Sequence, residues 1–324
     1  MPDDPPGGEA REWIREQLDR AGRRLVGTMD ETRVRPWSVV VRIRTGDGAA
    51  WFKANRAQTT YGPALVRLLT QHAPDMVLAP IATDVERGWS LMPEGGPILR
   101  SFPDDAVLRH WERLLPAYAE LQRTLALQVG ELTAAGVPDE RPERLPELLA
   151  TILDMTQVLL VDKPSGLRTE EVVRLRELVP AFAQRCAILA GSRIAPTVDH
   201  GDLHDGNVFV RDDSHAVFDW GDACVARPFA SLLVTVRMIA ARYGLASDAP
   251  ALARLRDAYL EAWTATHTRR ELVRLAAVAI AVAPLSRARA WVRALSDIPP
   301  AERGDNRDAV PGWLRELLTV QPSP

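Results

Sequence analysis

Cysteine and lysine are almost missing from this chain. Its 324 residues include two cysteines, Cys186 and Cys224, and no Cys-x-x-Cys or Cys/His zinc spacing occurs. Both sit in apolar runs and are read as two separate buried thiols rather than a disulfide or a metal site. Lys53 and Lys163 are the only lysines among 40 basic residues, so the place of each is informative. A surplus of positive charge is also lacking. The formal net charge is -3 and the pI near 6.1, which argues against a dedicated nucleic-acid binder. The stretch Met1–Gly8 has neither a basic nor an apolar leader pattern. No apolar run approaches the roughly 18 residues of a membrane span. The expectation is a soluble cytoplasmic protein, monomer or homodimer, with no nucleic-acid or membrane partner.

What is present is a change of periodicity along the chain. Residues 9–23 carry Trp13, Ile14, Leu18 and Ala21 at helical spacing. Two strand-like runs, Val39–Arg44 and Ala49–Ala54, flank Thr45-Gly46-Asp47-Gly48, a hairpin signal. A helix is expected over 60–72, and strands over Val77–Ile81 and Gly88–Met92. The Gly/Pro cluster Pro93–Pro97 then breaks the mixed pattern. Beyond it the sequence reads as helix over 104–126, 145–160, 168–190, 228–243, 249–266, 270–283 and 311–319. An island from Ile194 to Asp222 interrupts the helices with short apolar runs. The expected class is α+β: a small sheet lobe over 1–93 and a helical lobe over 94–324.

The island carries the chemistry. Phosphoryl transfer needs a carboxylate to orient and deprotonate the attacking hydroxyl, oxygen ligands for magnesium, and a cation on the phosphates. Asp202, Asn207 five residues later, and Asp219 shortly afterwards can supply the first two. Two strands, Val208–Val210 and Ala216–Phe218, joined by a turn would return Asp219 to the end of the hairpin where Asn207 stands. Asp205, Asp212, Asp213 and His215 read as a solvated turn. The acidic Pro138-Asp139-Glu140 reads as a solvated loop or a patch for a cationic substrate.

His200-Gly201-Asp202-Leu203-His204-Asp205-Gly206-Asn207, followed by Phe218-Asp219-Trp220, resembles the signature of the aminoglycoside phosphotransferase and choline kinase-like family. Trp51-Phe52-Lys53 and Gly88-Trp89-Ser90-Leu91-Met92-Pro93-Glu94-Gly95-Gly96 extend the resemblance into the N-terminal lobe. It implies a two-lobed protein kinase-like fold and an ATP- and Mg-dependent kinase. The acceptor would be a small hydroxylated molecule: an aminoglycoside or other antibiotic, an amino sugar or an amino alcohol. Antibiotic resistance is one role this implies. Asp202 is implied to face the acceptor hydroxyl, and Asn207 and Asp219 to hold magnesium. His204 stands where kinases often place a phosphate-contacting lysine, and His200 to brace the loop. Lys53 is implied to pair with the nucleotide phosphates. Met92, Pro93 and Gly95 would line the adenine, and Arg35–Val39, including Ser38, would cover the nucleotide.

Two positions depart from that pattern. No Glu occurs between Ala54 and Thr83 to pair with Lys53, and Gly62 stands where one is expected. The Asp that usually braces the catalytic loop is replaced near Ser231. These departures motivate a second reading, a nucleotide-binding pseudokinase. A third, a metallophosphoesterase built on Asp202-Leu203-His204, is short of histidine ligands.

Overall fold

The computed structural model describes residues 7–29, 31–212 and 214–319. Its first elements are α1 (Gly8–Arg20), β1 (Glu31–Arg35), β2 (Ser38–Thr45), β3 (Gly48–Asn55), α2 (Gly62–His72), β4 (Ala82–Asp84) and β5 (Trp89–Pro93). Helices α3 (Asp104–Leu125), α4 (Val129–Ala134), α5 (Leu145–Leu153), α6 (Thr156–Leu159) and α7 (Thr169–Ala190) follow. Then come β6 (Thr197–Asp199), β7 (Val208–Arg211), β8 (Ser214–Val217) and β9 (Cys224–Ala226). The chain continues through α8 (Leu232–Tyr243), α9 (Pro250–Leu260), α10 (Arg269–Leu295) and α11 (Ala309–Thr319). Two compact units result. A sheet unit comprises the chain to Pro97 together with Phe209–Gly221, and a helical unit comprises Ile98–Val208 and the chain from Asp222.

The sheet unit is an antiparallel sheet in the order β1-β2-β3-β5-β4. The expected hairpin forms, but Thr45 pairs with Gly48, so its two turn residues are Gly46 and Asp47, one position before the Asp-Gly pair. Alternation along β3 buries Phe52 while Trp51 and Lys53 stay partly exposed on the other face. Phe52 meets Ile14 and Leu18 of α1, four residues apart on one helical face, with Val41, Ile43 and Leu91. Trp13, Phe52 and Trp89 form a cluster with centroids 5.7 to 6.0 Å apart, in which Trp89 meets the other two rings edge-to-face. The strand expected over Val77–Ile81 does not form. Val77 and Leu78 are buried in irregular backbone, and β4 begins at Ala82.

In the helical unit one expectation fails in an informative way. Pro284 predicts the end of a helix at 283, yet α10 continues to Leu295. An interior proline costs about 3 kcal/mol. Against it stand Leu275, Val278, Val282 and Leu285, all buried on α10 and each contributing roughly 1.5–3 kcal/mol. Thr268 and Glu271 cap the helix start reciprocally. By length and composition α10 could cross a membrane, but 61% of its apolar window is buried inside the protein, as in a core helix.

The Pro138–Glu140 segment is neither a solvated loop nor a cation-binding patch. Asp139 is paired with Arg141 at 2.7 Å, and Glu140 is buried beneath Arg293 at 2.8 Å and Arg289 at 3.1 Å. Cys186 and Cys224 are free and buried. Burial pushes the Cys186 thiol up to about 12.

Candidate active site

The sheet unit contributes Lys53 and Asp219. Lys53 lies between Val40 and Ser90 on its neighbouring strands, and its Nζ is 2.5 Å from Asp219 Oδ1. The lysine left without a helix glutamate therefore pairs with the aspartate expected to bind metal. Asp219 has φ of 61°, a left-handed conformation that costs any residue with a Cβ but costs Asn and Asp less than most. The strain is held from both sides. Val217 N donates to Met76 O at 2.8 Å, and Tyr61 Oη donates to Gly221 O at 2.7 Å. Such over-determined strain gathers at functional positions.

The segment expected to line the adenine runs along β3. Met92 pairs with Trp51, Pro93 pairs with Ala50, and Glu94 N donates to Ala49 O at 3.2 Å. Gly95 is buried against Phe209, where a Cβ would fall 2.2 Å from the ring. Ser38 is buried at the start of β2, in register with Asn55 and with Arg35 of β1. The expected covering segment is thus a β1–β2 hairpin whose turn is Pro36-Trp37.

The helical unit contributes the loop expected to be catalytic, which leaves β6 at Asp199. Gly201 N and Ser231 Oγ donate to Asp199 Oδ1, each at 2.9 Å, and Ser231 N donates to Oδ2 at 3.0 Å. Burial, partly offset by these donors, holds the Asp199 carboxyl above its ordinary pKa. Ser231 does stand at the brace position, but the carboxylate it serves belongs to the loop itself. The rest of the network has a consistent direction. Tyr259 donates to Gln122 Oε1, Gln122 Nε2 donates to the Val198 carbonyl, and the Tyr118 hydroxyl accepts from His200 N. Since Ser231 Oγ donates to Asp199, the Tyr118 hydroxyl is the donor in its 2.9 Å contact with Ser231. Tyr118 and Tyr259 are core residues by burial, and they also anchor the loop.

His200 is fully buried and its Nδ1 accepts from Asp202 N at 3.2 Å, the expected bracing role. His204 Nδ1 accepts from Gly206 N at 2.9 Å and faces Arg100 Nη2 at 3.1 Å. Both partners can only donate, so His204 carries its N–H on Nε2, 3.4 Å from Asp202 Oδ2. Asn207 Nδ2 donates to the Asp202 carbonyl at 3.0 Å, which orients the amide. Asp205 and His215 are buried rather than solvated. Asp205 is held by Arg100 at 2.9 Å and Arg242 at 2.8 Å. Asp212 lies in a left-handed turn, and Asp213 is outside the described residues.

Asp202 meets a partner that the sequence did not disclose. Arg287 Nη2 lies 3.1 Å from Asp202 Oδ1, and Arg287 Nη1 is 2.7 Å from Asp222 Oδ2 and 2.9 Å from Gly201 O. Burial acts to raise the Asp202 pKa. The His204 hydrogen bond and the Arg287 charge outweigh it and bring the carboxyl down to about 2. Gly201 has φ of 76°, and a Cβ there would lie 2.6 Å from the Asp222 carbonyl oxygen. Gly201→Ala is therefore expected to cost about 1–3 kcal/mol of stability, as strained backbone does. Denaturant unfolding checks this, and an unchanged midpoint and slope would show that the loop gives way freely.

Asn207 Oδ1 and the Asp219 carboxylate are hard oxygen donors, and Mg²⁺ bound with a nucleotide takes one or two carboxylates plus phosphate oxygens. Among the described residues no three His, Cys, Asp or Glu side chains converge as a metal cluster.

A small antiparallel-sheet lobe and a larger helical lobe, with a His-Gly-Asp loop after β6 and a strand lysine, define a kinase-like fold. The chain belongs to the phosphotransferase enzyme family APH, whose model matches residues 40–273. Among solved structures, a choline/ethanolamine kinase family protein from Mesorhizobium loti has a TM-score of 0.62 at 14% identity. The match covers 98% of this chain and 94% of that one. Choline kinase LicA from Streptococcus pneumoniae has a TM-score of 0.59 at 12% identity, covering 97% and 100% of the two chains. A macrolide 2'-phosphotransferase type I has a TM-score of 0.58 at 14% identity, covering 96% and 97%. At these identities the likeness concerns the fold. No match was found among curated protein sequences.

Proposed function

We propose that the protein is an ATP- and Mg-dependent O-phosphotransferase acting on a small hydroxylated molecule. The observation that carries the reading is the catalytic loop, where an ionised Asp202, the oriented amide of Asn207 and the N–H of His204 converge. Asp202 would accept the acceptor's hydroxyl proton as the acceptor oxygen bonds to the γ-phosphorus and the bond to the β-phosphate oxygen breaks, leaving ADP. His204 Nε2–H would donate to Asp202 or to the transferred phosphoryl group. Lys53 would exchange its Asp219 partner for nucleotide phosphate. Magnesium, when bound through Asn207 and Asp219, would supply neutralisation of phosphate charge.

The charge around the loop bears on the acceptor. Asp202 and Asp222 share Arg287, Asp205 has Arg100 and Arg242, and Glu140 has Arg289 and Arg293. Compensated carboxylates attract a polycation weakly. An antibiotic or amino alcohol of low charge therefore fits this face better than a polyaminated aminoglycoside. ADP formation should rise in the presence of a macrolide, amicoumacin, choline or ethanolamine more than with a polyamine-rich sugar. Equal stimulation by the polycation would overturn the charge reading, and stimulation by no hydroxylated acceptor would favour the pseudokinase.

A further inference from the structure

We infer that Arg287 is the positioning residue of the phosphoryl-transfer site, holding the Asp202 carboxylate and the loop backbone in the orientation that meets the acceptor hydroxyl. The inference rests on the phosphotransferase reading above. Arg287 arises from α10, beyond Pro284, and its side chain is only 8% exposed. Its guanidinium makes three contacts at once. One nitrogen takes Asp202 Oδ1, while the other takes the Gly201 carbonyl and Asp222 Oδ2. Side chain and backbone of the loop are thus tied to a single rigid plane.

The plane is itself fixed. Trp313 of α11 lies beneath it, with the guanidinium carbon 5.6 Å from the ring centroid. Arg237 of α8 sits 5.1 Å from the same ring and is held by both oxygens of Glu316, each at 2.7 Å. Three helices therefore determine where Arg287 points. Asp222 supplies a second carboxylate, so the Arg287 charge is shared and Asp202 is not neutralised outright. Because Arg287 engages Oδ1, the oxygen left for the acceptor is Oδ2, which has only the longer 3.4 Å contact to His204. Arg287 is buried while Asp202 and Asp222 stay partly exposed, so the arginine holds the carboxylates from beneath and leaves them open to solvent.

The test compares wild type, Arg287→Met, Arg287→Lys and Asp202→Asn. Turnover is measured with the most active acceptor among a macrolide, amicoumacin, choline and ethanolamine, alongside amide hydrogen exchange of residues 200–206. Arg287→Met is expected to lower kcat about 100-fold, the loss typical of slight misplacement of a reacting group. The KM for ATP should stay within about twofold, because misplacement acts on the chemical step. Arg287→Lys, which keeps the charge without the fork, should recover about tenfold of that loss. Exchange at Gly201–His204 should rise in Arg287→Met while β3 is unaffected. Wild-type kcat in Arg287→Met, a loss confined to KM, or unchanged exchange at 200–206 would each overturn the proposal. The two readings fail differently. If Asp202→Asn abolishes turnover and Arg287→Met does not, only the positioning role fails. If Asp202→Asn retains full turnover, the phosphotransfer reading fails, and the exchange data still decide whether Arg287 orders the loop.

Discussion

Asp202→Asn is expected to lower acceptor phosphorylation by about 10²–10⁴-fold, the usual contribution of a positioned general base. The substitution is nearly isosteric, and Arg287 keeps Asp222 and the Gly201 carbonyl as partners. The loop should therefore hold its shape while losing the group that takes the proton. Affinity for AMP-PNP with magnesium should remain within a fewfold of wild type, because neither Lys53 nor Asp219 is touched. Steady-state turnover and titration calorimetry read the two quantities separately. Retention of wild-type turnover would remove Asp202 from the base role.

Asp219→Ala is expected to act on nucleotide binding. Asp219 has two roles in the account: partner of Lys53 at 2.5 Å in the described structure, and magnesium ligand when nucleotide is bound. Losing it should weaken Mg·AMP-PNP binding by at least about 10- to 100-fold, since even outer-shell losses cost that much at metal sites. Binding of nucleotide without metal should change little, because Lys53 is then free for phosphate. The substitution keeps a Cβ at φ of 61° and loses the Lys53 pair, so a modest fall in thermal stability is expected beside the metal-dependent loss of affinity. Equal weakening with and without magnesium would instead mark Asp219 as a purely structural partner of Lys53.

Most of the sheet unit was legible because its signals are local. The Asp-Gly turn, the alternation that buries Phe52 and exposes Lys53, and the spacing of Ile14 and Leu18 all act within a few residues. The His-Gly-Asp loop was legible because its residues are consecutive. What escaped depends on distant chain. Pro284 is a sound local stop signal, but the buried face of α10 overrides it, and the extra turns carry Arg287 to the loop. Asp199 precedes the motif by one residue and looks ordinary until Ser231 and Gly201 are seen donating to it. Glu140 reads as solvated from its neighbours, and only the fold brings Arg289 and Arg293 over it. No glutamate lies on α2, and nothing local names Asp219 as the partner of Lys53.

The central claim is transfer of the γ-phosphoryl group to a hydroxyl under control of Asp202. Mass analysis of acceptors incubated with ATP, magnesium and wild-type protein tests it most directly, with Asp202→Asn run in parallel. The expected result is an acceptor that gains one phosphoryl group for each ADP formed, and no such product from the variant. ADP accompanied only by inorganic phosphate, or equal product from both proteins, would contradict it.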